Sequence, residues 1–369
     1  MHVRTSFDIA DFAREWPRIN DASAAAFHVF QARDYLEEWN RTIGRARAAR
    51  LCYVRVADDL GPIMLFALAI ERRRGVRIAS FPDGGVADYN APILFPRAPM
   101  LQPRVVFQLW RKLASLLPSF DAALLDKVPE SVDRVSNPLR YLAQDEYEEA
   151  GHVLYLDGTW DNFVATRLHR AKDSRRKRRR LAEMGDLRFV IAESAAERVR
   201  ILDALIAQKT RRYLETRGVD GFDRPGYRTY FHAISERFGP SGEAHLAALE
   251  LNGEIIAAHW GIVRADRFYC LMLSHGEGPS AQYSPGRLLV EDLIAWCYAQ
   301  KIPVFDLGVG DGAWKDRFHD TRASLWRAHL PQTLAGKAYI EAARLRRALR
   351  AASRNTDREN EASEGRRVA

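Results

Sequence analysis

The sequence predicts a mixed α/β protein made of two copies of one unit, and three of its features carry that expectation. β-Branched and aromatic runs bounded by turn residues group into two three-stranded meanders. Each meander is followed by an apolar helix and a short buried strand. Both helices carry a proline at or just before the first turn, Pro103 and Pro285, where its missing N–H costs nothing. A length of 369 residues suits two domains of about 150 residues each.

In chain order, Ile9 to Trp16 and Ala32 to Ile43 read as helices ahead of the first meander. The meander runs Leu51 to Val56, a turn at Asp59-Leu60-Gly61, Met64 to Ile70, a turn at Arg73-Arg74-Gly75, and Val76 to Phe81. A longer loop leads to the helix Val105 to Leu117 and the strand Phe120 to Leu125. Phe163 to Met184 reads as one charged helix joining the copies. Ser194-Ala195-Ala196-Glu197 is a capping box, and the helix it opens carries Val199, Leu202, Ile206, Thr210 and Tyr213 at spacings of three and four. A second helix fits Tyr227 to Phe238, stopped by Gly239-Pro240. The second meander is His245 to Leu251, Glu254 to Val263 and Arg267 to Leu273, with turns at Asn252-Gly253 and Ala265-Asp266. Asn-Gly between apolar runs is a strong hairpin signal, because both residues tolerate positive φ. The helix Arg287 to Ala299 and the strand Val304 to Leu307 complete the copy. The expected organisation is an N-terminal unit over 1–155 that shapes the acceptor site, a C-terminal unit over 156–335, a closing helix over 336–352 (read from Lys337 to Ala352) and a disordered tail over 353–369, which lacks apolar residues to bury.

With 47% apolar and 28% charged residues, the chain is neither a disordered polymer nor a small disulfide-held module. The longest nearly uninterrupted apolar run, Pro62 to Ile70, is far below the roughly 20 residues a membrane span needs, and Asp8, Asp11 and Arg14 interrupt the start. A soluble, cytoplasmic protein is expected. Cys52, Cys270 and Cys297 lie far apart among apolar neighbours and read as buried thiols. The ten histidines are scattered with no H-x-x-x-H or H-E-x-x-H, so no metal site is expected.

The net charge of +8 is concentrated between Arg167 and Arg180, where nine cations in fourteen residues meet only Asp173. Like charges at i,i+4 weaken a helix unless an anion lies against it. A nucleic acid, the 3′-phosphate of a nucleotide, an anionic membrane surface and nearby Glu side chains all satisfy that need. No aromatic residues interleave the run, so base stacking is not indicated.

Tyr283-Ser284-Pro285-Gly286-Arg287-Leu288-Leu289 is the sharpest local signal. Ser284 is placed to cap a helix, Pro285 to preset its first turn, and Gly286 to leave backbone N–H groups open to a ligand. A helix start of this kind is an anion seat, and Arg287 adds a guanidinium fork. Gly308 and Gly310 follow a buried strand and allow close backbone approach. Lys315 offers positive charge nearby. For acyl transfer, which needs a base and a proton for the leaving thiolate, His259, Asp306 and Tyr283 are the candidates, with His275 a further one. Asp306 equally suits anchoring of the glycine loop through its carboxylate.

A hairpin, a Gly-bearing helix start and a strand ending in glycines resemble the GNAT acyltransferase fold. Ala257-Ala258-His259-Trp260-Gly261, Tyr283-Ser284-Pro285-Gly286 and Phe305-Asp306-Leu307-Gly308 through Gly310, with Trp314-Lys315, are similar to the GNAT-like family associated with bacterial cellulose biosynthesis (CelD-like). That family is related in fold to Fem-type aminoacyltransferases, which also hold two GNAT-like units. Asp88-Tyr89-Asn90-Ala91-Pro92 resembles the family's first half. The sequence departs from the family at Asp311-Gly312-Ala313-Trp314 and at Phe318, with aromatic character kept. The resemblance implies tandem GNAT-like units, acyl-CoA as co-substrate and an amine, hydroxyl or saccharide acceptor in exopolysaccharide or envelope synthesis. It implies a donor site at Ser284, Gly286, Arg287, Leu288, Gly308, Gly310 and Lys315. The first copy has Gln102-Pro103-Arg104 where the second has Ser284-Pro285-Gly286, and without the glycine it is not expected to hold a donor. The alternatives are an aminoacyl-tRNA-dependent transferase, with tRNA on the basic run, and a non-catalytic scaffold for nucleic acid or polysaccharide machinery.

Overall fold

The computed structural model describes residues 1–264, 266–310 and 312–349. Ala265 of the expected turn, Asp311 of the glycine loop, the end of the closing helix and the tail lie outside the described residues.

The first unit contains β1 (His2–Ser6), α1 (Arg33–Trp39), β2 (Arg50–Asp58), β3 (Gly61–Arg73), β4 (Val76–Ser80), β5 (Ile93–Leu94), α2 (Pro103–Leu116) and β6 (Ala122–Pro129). A small ribbon, β7 (Ser131–Val132) with β8 (Val135–Ser136), and the short β9 (Asp145–Glu146) follow. The second unit contains β10 (Gly151–Tyr155), α3 (Trp160–Thr166), α4 (Ala171–Met184), β11 (Leu187–Ile191), α5 (Ala195–Arg217), α6 (Tyr227–Phe238), β12 (Ala244–Leu251), β13 (Glu254–Arg264), β14 (Arg267–His275), α7 (Pro285–Ala299), β15 (Val304–Val309) and β16 (Thr321–Ala323). β17 (Leu325–Pro331) and a helix over 334–349 close the described chain.

Both meanders form as the sequence predicts, and each leads through a helix into a parallel strand: β4 pairs β6, and β14 pairs β15. Asn252 (φ 53°) and Gly253 (φ 82°) make the hairpin turn between β12 and β13. The Ser194 capping box opens α5, with the Ser194 side chain and Glu197 bonding reciprocally. The molecule is a tandem of two α/β units, each a mixed sheet flanked by helices.

The two sheets exchange strands at their edges, which local patterning does not predict. The first runs β1-β2-β3-β4-β6-β17-β9 and the second β11-β12-β13-β14-β15-β10-β16. β10, expected in the first unit, lies in the second sheet against β15; β17, expected in the second unit, lies in the first against β6. Other departures are local. Ile9–Phe12 is only a 3-10 turn, and α1 passes into a π turn over Asn40–Gly44. The charged helix is two helices, because Arg170 takes a left-handed conformation between α3 and α4.

One core spans both units. Phe30 and Tyr35 of the first meet Tyr269 and Tyr230 of the second, with ring centroids 5.5 and 5.6 Å apart. A second core lies under α2 and a third under α7. On α7, Leu288, Leu289, Leu293 and Ile294 are fully buried. At about 1.5–3 kcal/mol per side chain, their burial fixes the helix, and with it the direction of its first turn. All three cysteines are buried and free. No helix among the described residues is long and apolar enough to cross a membrane.

Candidate functional site

β14 pairs with β15 only over Arg267–Tyr269 against Val304–Asp306, yet β14 runs on to His275, so the two strands separate. A cleft of about 420 Å³ opens beside that separation. Leu273, Ser274 and His275 of β14 line it, with Ser284, Gly286, Arg287 and Val290 at the start of α7. Arg170, Asp173 and Lys177 of α4 and Trp314, Arg317 and Phe318 complete the wall.

Two helix N-termini converge on this cleft. The residues preceding α4 and α7, Arg170 (φ 57°, ψ 37°) and Ser284 (φ 56°, ψ 54°), are both left-handed, an uncommon state for residues other than glycine. The Arg287 and Leu288 amides bond to Ser284 O, and those of Asp173 and Ser174 to Arg170 O. Gly286 N–H has no acceptor among the described residues. Each helix start carries roughly half a positive charge. Arg170, Lys177, Arg287 and Arg317 add four cations to the lining against the single carboxylate of Asp173. The resulting field favours an anion.

α4 is held against α7 by buried polar contacts. Ser174 Oγ donates to Glu291 at 2.6 Å, Arg178 pairs with Asp292 at 2.9 Å, and Lys177 Nζ donates to Ser284 Oγ at 2.9 Å. These contacts also account for much of the basic run. Arg176 and Lys177 meet Asp173, Arg179 and Arg180 meet Glu183, and Arg167 pairs with Asp320. Six of the nine cations therefore meet a protein carboxylate, but only four carboxylates serve them, and the run stays net positive.

Several donor-site expectations are revised. Ser284 makes no side-chain cap; its Oγ meets Lys177 instead. Leu288 turns its side chain into the core, so only its backbone belongs to the helix start. Arg287 lines the cleft, but its guanidinium already bonds Glu291 at 2.9 Å and the His169 carbonyl. A Cβ on Gly286 would stand 3.7 Å from His275, in ordinary contact, so the glycine leaves the cleft open but is not sterically required.

The glycine loop serves the junction between units rather than the cleft. Asp306 is fully buried; it accepts from Tyr89 Oη and Gly308 N–H, each at 2.8 Å, and pairs with Arg267 at 2.9 Å. These partners occupy it as an anchor, which leaves it poorly placed as a base. Gly308 (φ 71°) makes room for Asp88: a Cβ there would stand 2.3 Å from the Asp88 carboxylate. Asp88 in turn accepts from Val309 N–H at 3.0 Å. Lys315 Nζ donates to the carbonyls of Gly308 and Val309, both at 3.0 Å, and burial holds its ammonium below the usual lysine range. Gly310 N–H bonds Ala150 O. None of Gly308, Gly310 or Lys315 lines the cleft.

His259 is also placed away from the cleft. It is fully buried, stacked on Phe268 at 5.2 Å and beside His245 at 5.6 Å, and neither ring nitrogen has a partner. Burial, with His245 adding to it, holds its ring neutral well below the ordinary range. Protein atoms surround the ring on every side, and it does not line the cleft. Tyr283 ends a 3-10 turn just before α7, half-buried against the third core and outside the cleft lining. His275 does line the cleft, with Nδ1 3.0 Å from Gly276 O.

Asp88 is the residue that motif-by-motif reasoning about chemistry passed over. Burial pushes its carboxyl up to about 6, against the pull of Lys127 and Lys315 and with a smaller push from Asp306. The only local signal was Asp88-Tyr89-Asn90-Ala91-Pro92, read for resemblance and not for function. Arg170 and Lys177 were counted as part of a charge run and not as cleft residues. His152 comes together in space with Asp316 and His319, which lie more than 160 residues further along the chain.

Within the second unit this arrangement matches a known domain family. Residues 169–316 match the family model described as the acetyltransferase (GNAT) domain. No curated protein matches the sequence. A crystal structure of FemX is similar at 10% identity with a TM-score of 0.58, covering 92% of this chain and 99% of that one. A conserved protein of unknown function from Bacteroides thetaiotaomicron VPI-5482 is similar at 11% identity and 0.53, covering 89% and 100%. A tandem GNAT protein from the clavulanic acid biosynthesis pathway is similar at 13% identity and 0.45, covering 89% and 98%. At these identities the likeness is one of fold.

Proposed function

We propose that this chain transfers an acyl group from acyl-CoA to an amine or hydroxyl acceptor, with the donor's phosphates in the cationic cleft. The observation that carries this reading is the convergence of two helix N-termini and four cationic side chains on one cleft beside the separating strands β14 and β15. Gly286 N–H and Lys177 are the first phosphate donors in this reading, and Leu273 and Ser274 border the path of the acyl arm. Asp88 lies outside the cleft lining, against Val309 at the unit junction; in this reading the acceptor enters from that junction, where Asp88, a carboxyl pushed up to about 6, takes the proton of the attacking amine or hydroxyl as the new bond to the acyl carbon forms. The C–S bond then breaks, and the same proton passes to the leaving thiolate. An exopolysaccharide or envelope acceptor rests on the sequence motifs alone.

Calorimetry with acetyl-CoA tests the reading. Binding is expected, weakened at least about tenfold in Gly286→Leu, whose side chain would fill the cleft. Since the nearest atoms to a Cβ at Gly286 are 3.7 Å away, the variant should keep the native melting temperature. Absence of acetyl-CoA binding together with salt-sensitive tRNA binding would replace this donor with an aminoacyl-tRNA.

A further inference from the structure

We infer that His152, Asp316 and His319 form a binding site for a divalent transition-metal ion of the zinc class. Two places supply them: β10 gives His152, and the 3-10 turn Lys315–Arg317 with the chain just after it gives Asp316 and His319. One ligand atom from each, a ring nitrogen or a carboxylate oxygen, lies within 4.8 Å of the other two. Two imidazoles and a carboxylate suit zinc, cobalt or nickel, whereas magnesium and calcium prefer oxygen ligands throughout.

The surroundings prepare the histidines for this role. His152 is buried, and the pairing of β10 with β15 shifts register between His152 and Val153, a local irregularity of the kind that re-aims a side chain. Its ring meets that of His319 edge-on at 4.8 Å. His319 Nδ1 lies 3.0 Å from Lys315 O. A carbonyl only accepts, so Nδ1 carries the proton here and Nε2 keeps its lone pair; Nδ1 is also the nitrogen nearest Asp316, 4.0 Å from its carboxylate, so metal binding through Nε2 requires that carboxylate to turn toward it. Metal–ligand bonds of about 2.0–2.2 Å need ligand atoms somewhat closer than they stand now. Asp316 is exposed and free to swing inward by that amount. Three protein ligands leave a coordination position for water.

The site braces the cleft. Its turn carries Lys315, which grips the Gly308 and Val309 carbonyls, and leads into Arg317 and Phe318 of the cleft wall. A metal tying this turn to β10 would stiffen that wall.

The test uses the full chain, stripped with a chelator and titrated with Co2+ or Zn2+ in the absence of any acyl donor, so its outcome is separate from that of the proposed activity. Equimolar binding, ligand-field bands of four- or five-coordinate cobalt and a raised melting temperature are expected, with Mg2+ inert. Asp316→Ala should weaken binding at least about tenfold while keeping the metal-free melting temperature, since Asp316 is exposed, and the conservative His319→Gln should weaken it likewise. Because His152 is buried, its variants are not needed for the decision. Absence of binding, or binding unchanged in both variants, would overturn the inference.

Discussion

Replacing Asp88 by Asn keeps the side chain's shape and removes the charge, which separates what the carboxylate does for the fold from what it does for chemistry. In the unfolded chain this group titrates near its ordinary value of about 3.9. In the structure burial moves it up to about 6, outweighing Lys127 and Lys315. That displacement of about two units corresponds to about 3 kcal/mol held against the folded state once the group is ionised. The sign follows from proton counts. Between about pH 4 and pH 6 the folded state binds more protons than the unfolded one, so stability falls as pH rises through that window and the full cost is present above it. Asp88→Asn carries no such cost. It should be about 2–3 kcal/mol more stable than the native chain at pH 8, reduced by whatever its new amide hydrogens leave unpaired, and close to the native chain at pH 3.5. Urea denaturation at the two pH values reads this directly. In the proposed reaction the same variant should lose about 10²–10⁴-fold in kcat with donor affinity kept, and the native kcat/KM should rise through pH 6. A variant less stable than native at pH 8, or one with undiminished turnover, would refute the reasoning.

Removing Lys177 and Arg317 together should weaken acetyl-CoA binding and flatten its salt dependence, measured by calorimetry at two ionic strengths; an unchanged slope would remove the phosphates from the cleft. His259→Leu should leave turnover intact and hold or raise the melting temperature, because it deletes two buried ring nitrogens that have no partner. The native chain resists protonating this buried ring while the unfolded chain does not, so His259 costs stability as pH falls below about 6.5, and the leucine variant should lose less on acidification to pH 5. Gly308→Ala meets both a left-handed backbone and the Asp88 carboxylate 2.3 Å from its Cβ. It should cost at least about 1–2 kcal/mol in chemical denaturation; a neutral outcome would mean the junction is looser than described.

Much of the fold was legible because its signals are local. Asn252-Gly253, the Ser194 capping box and Pro285 each act within one turn, and continuous apolar runs mark strands buried on both faces whatever the partner. The cleft was half legible for the same reason: the α7 helix start can be read from Ser284-Pro285-Gly286. The catalytic roles expected of His259 and Asp306 were read from residue type without surroundings. His259 and Asp306 have the right chemistry for a base, but one faces an apolar layer and the other is spent on Arg267, Tyr89 and the Gly308 amide.

Short-range pattern thus indicates two α/β units, their element order and the helix start that lines the cleft. The folded chain alone decides that β10 and β17 trade sheets, that α4 brings a second positive helix end to the cleft, and that Asp88 reaches Val309 from 221 residues away. Turn and periodicity preferences act over a few neighbouring residues. Those long-distance meetings depend on which faces bury the most apolar surface once all the elements are formed, and neighbouring residues carry no record of that competition.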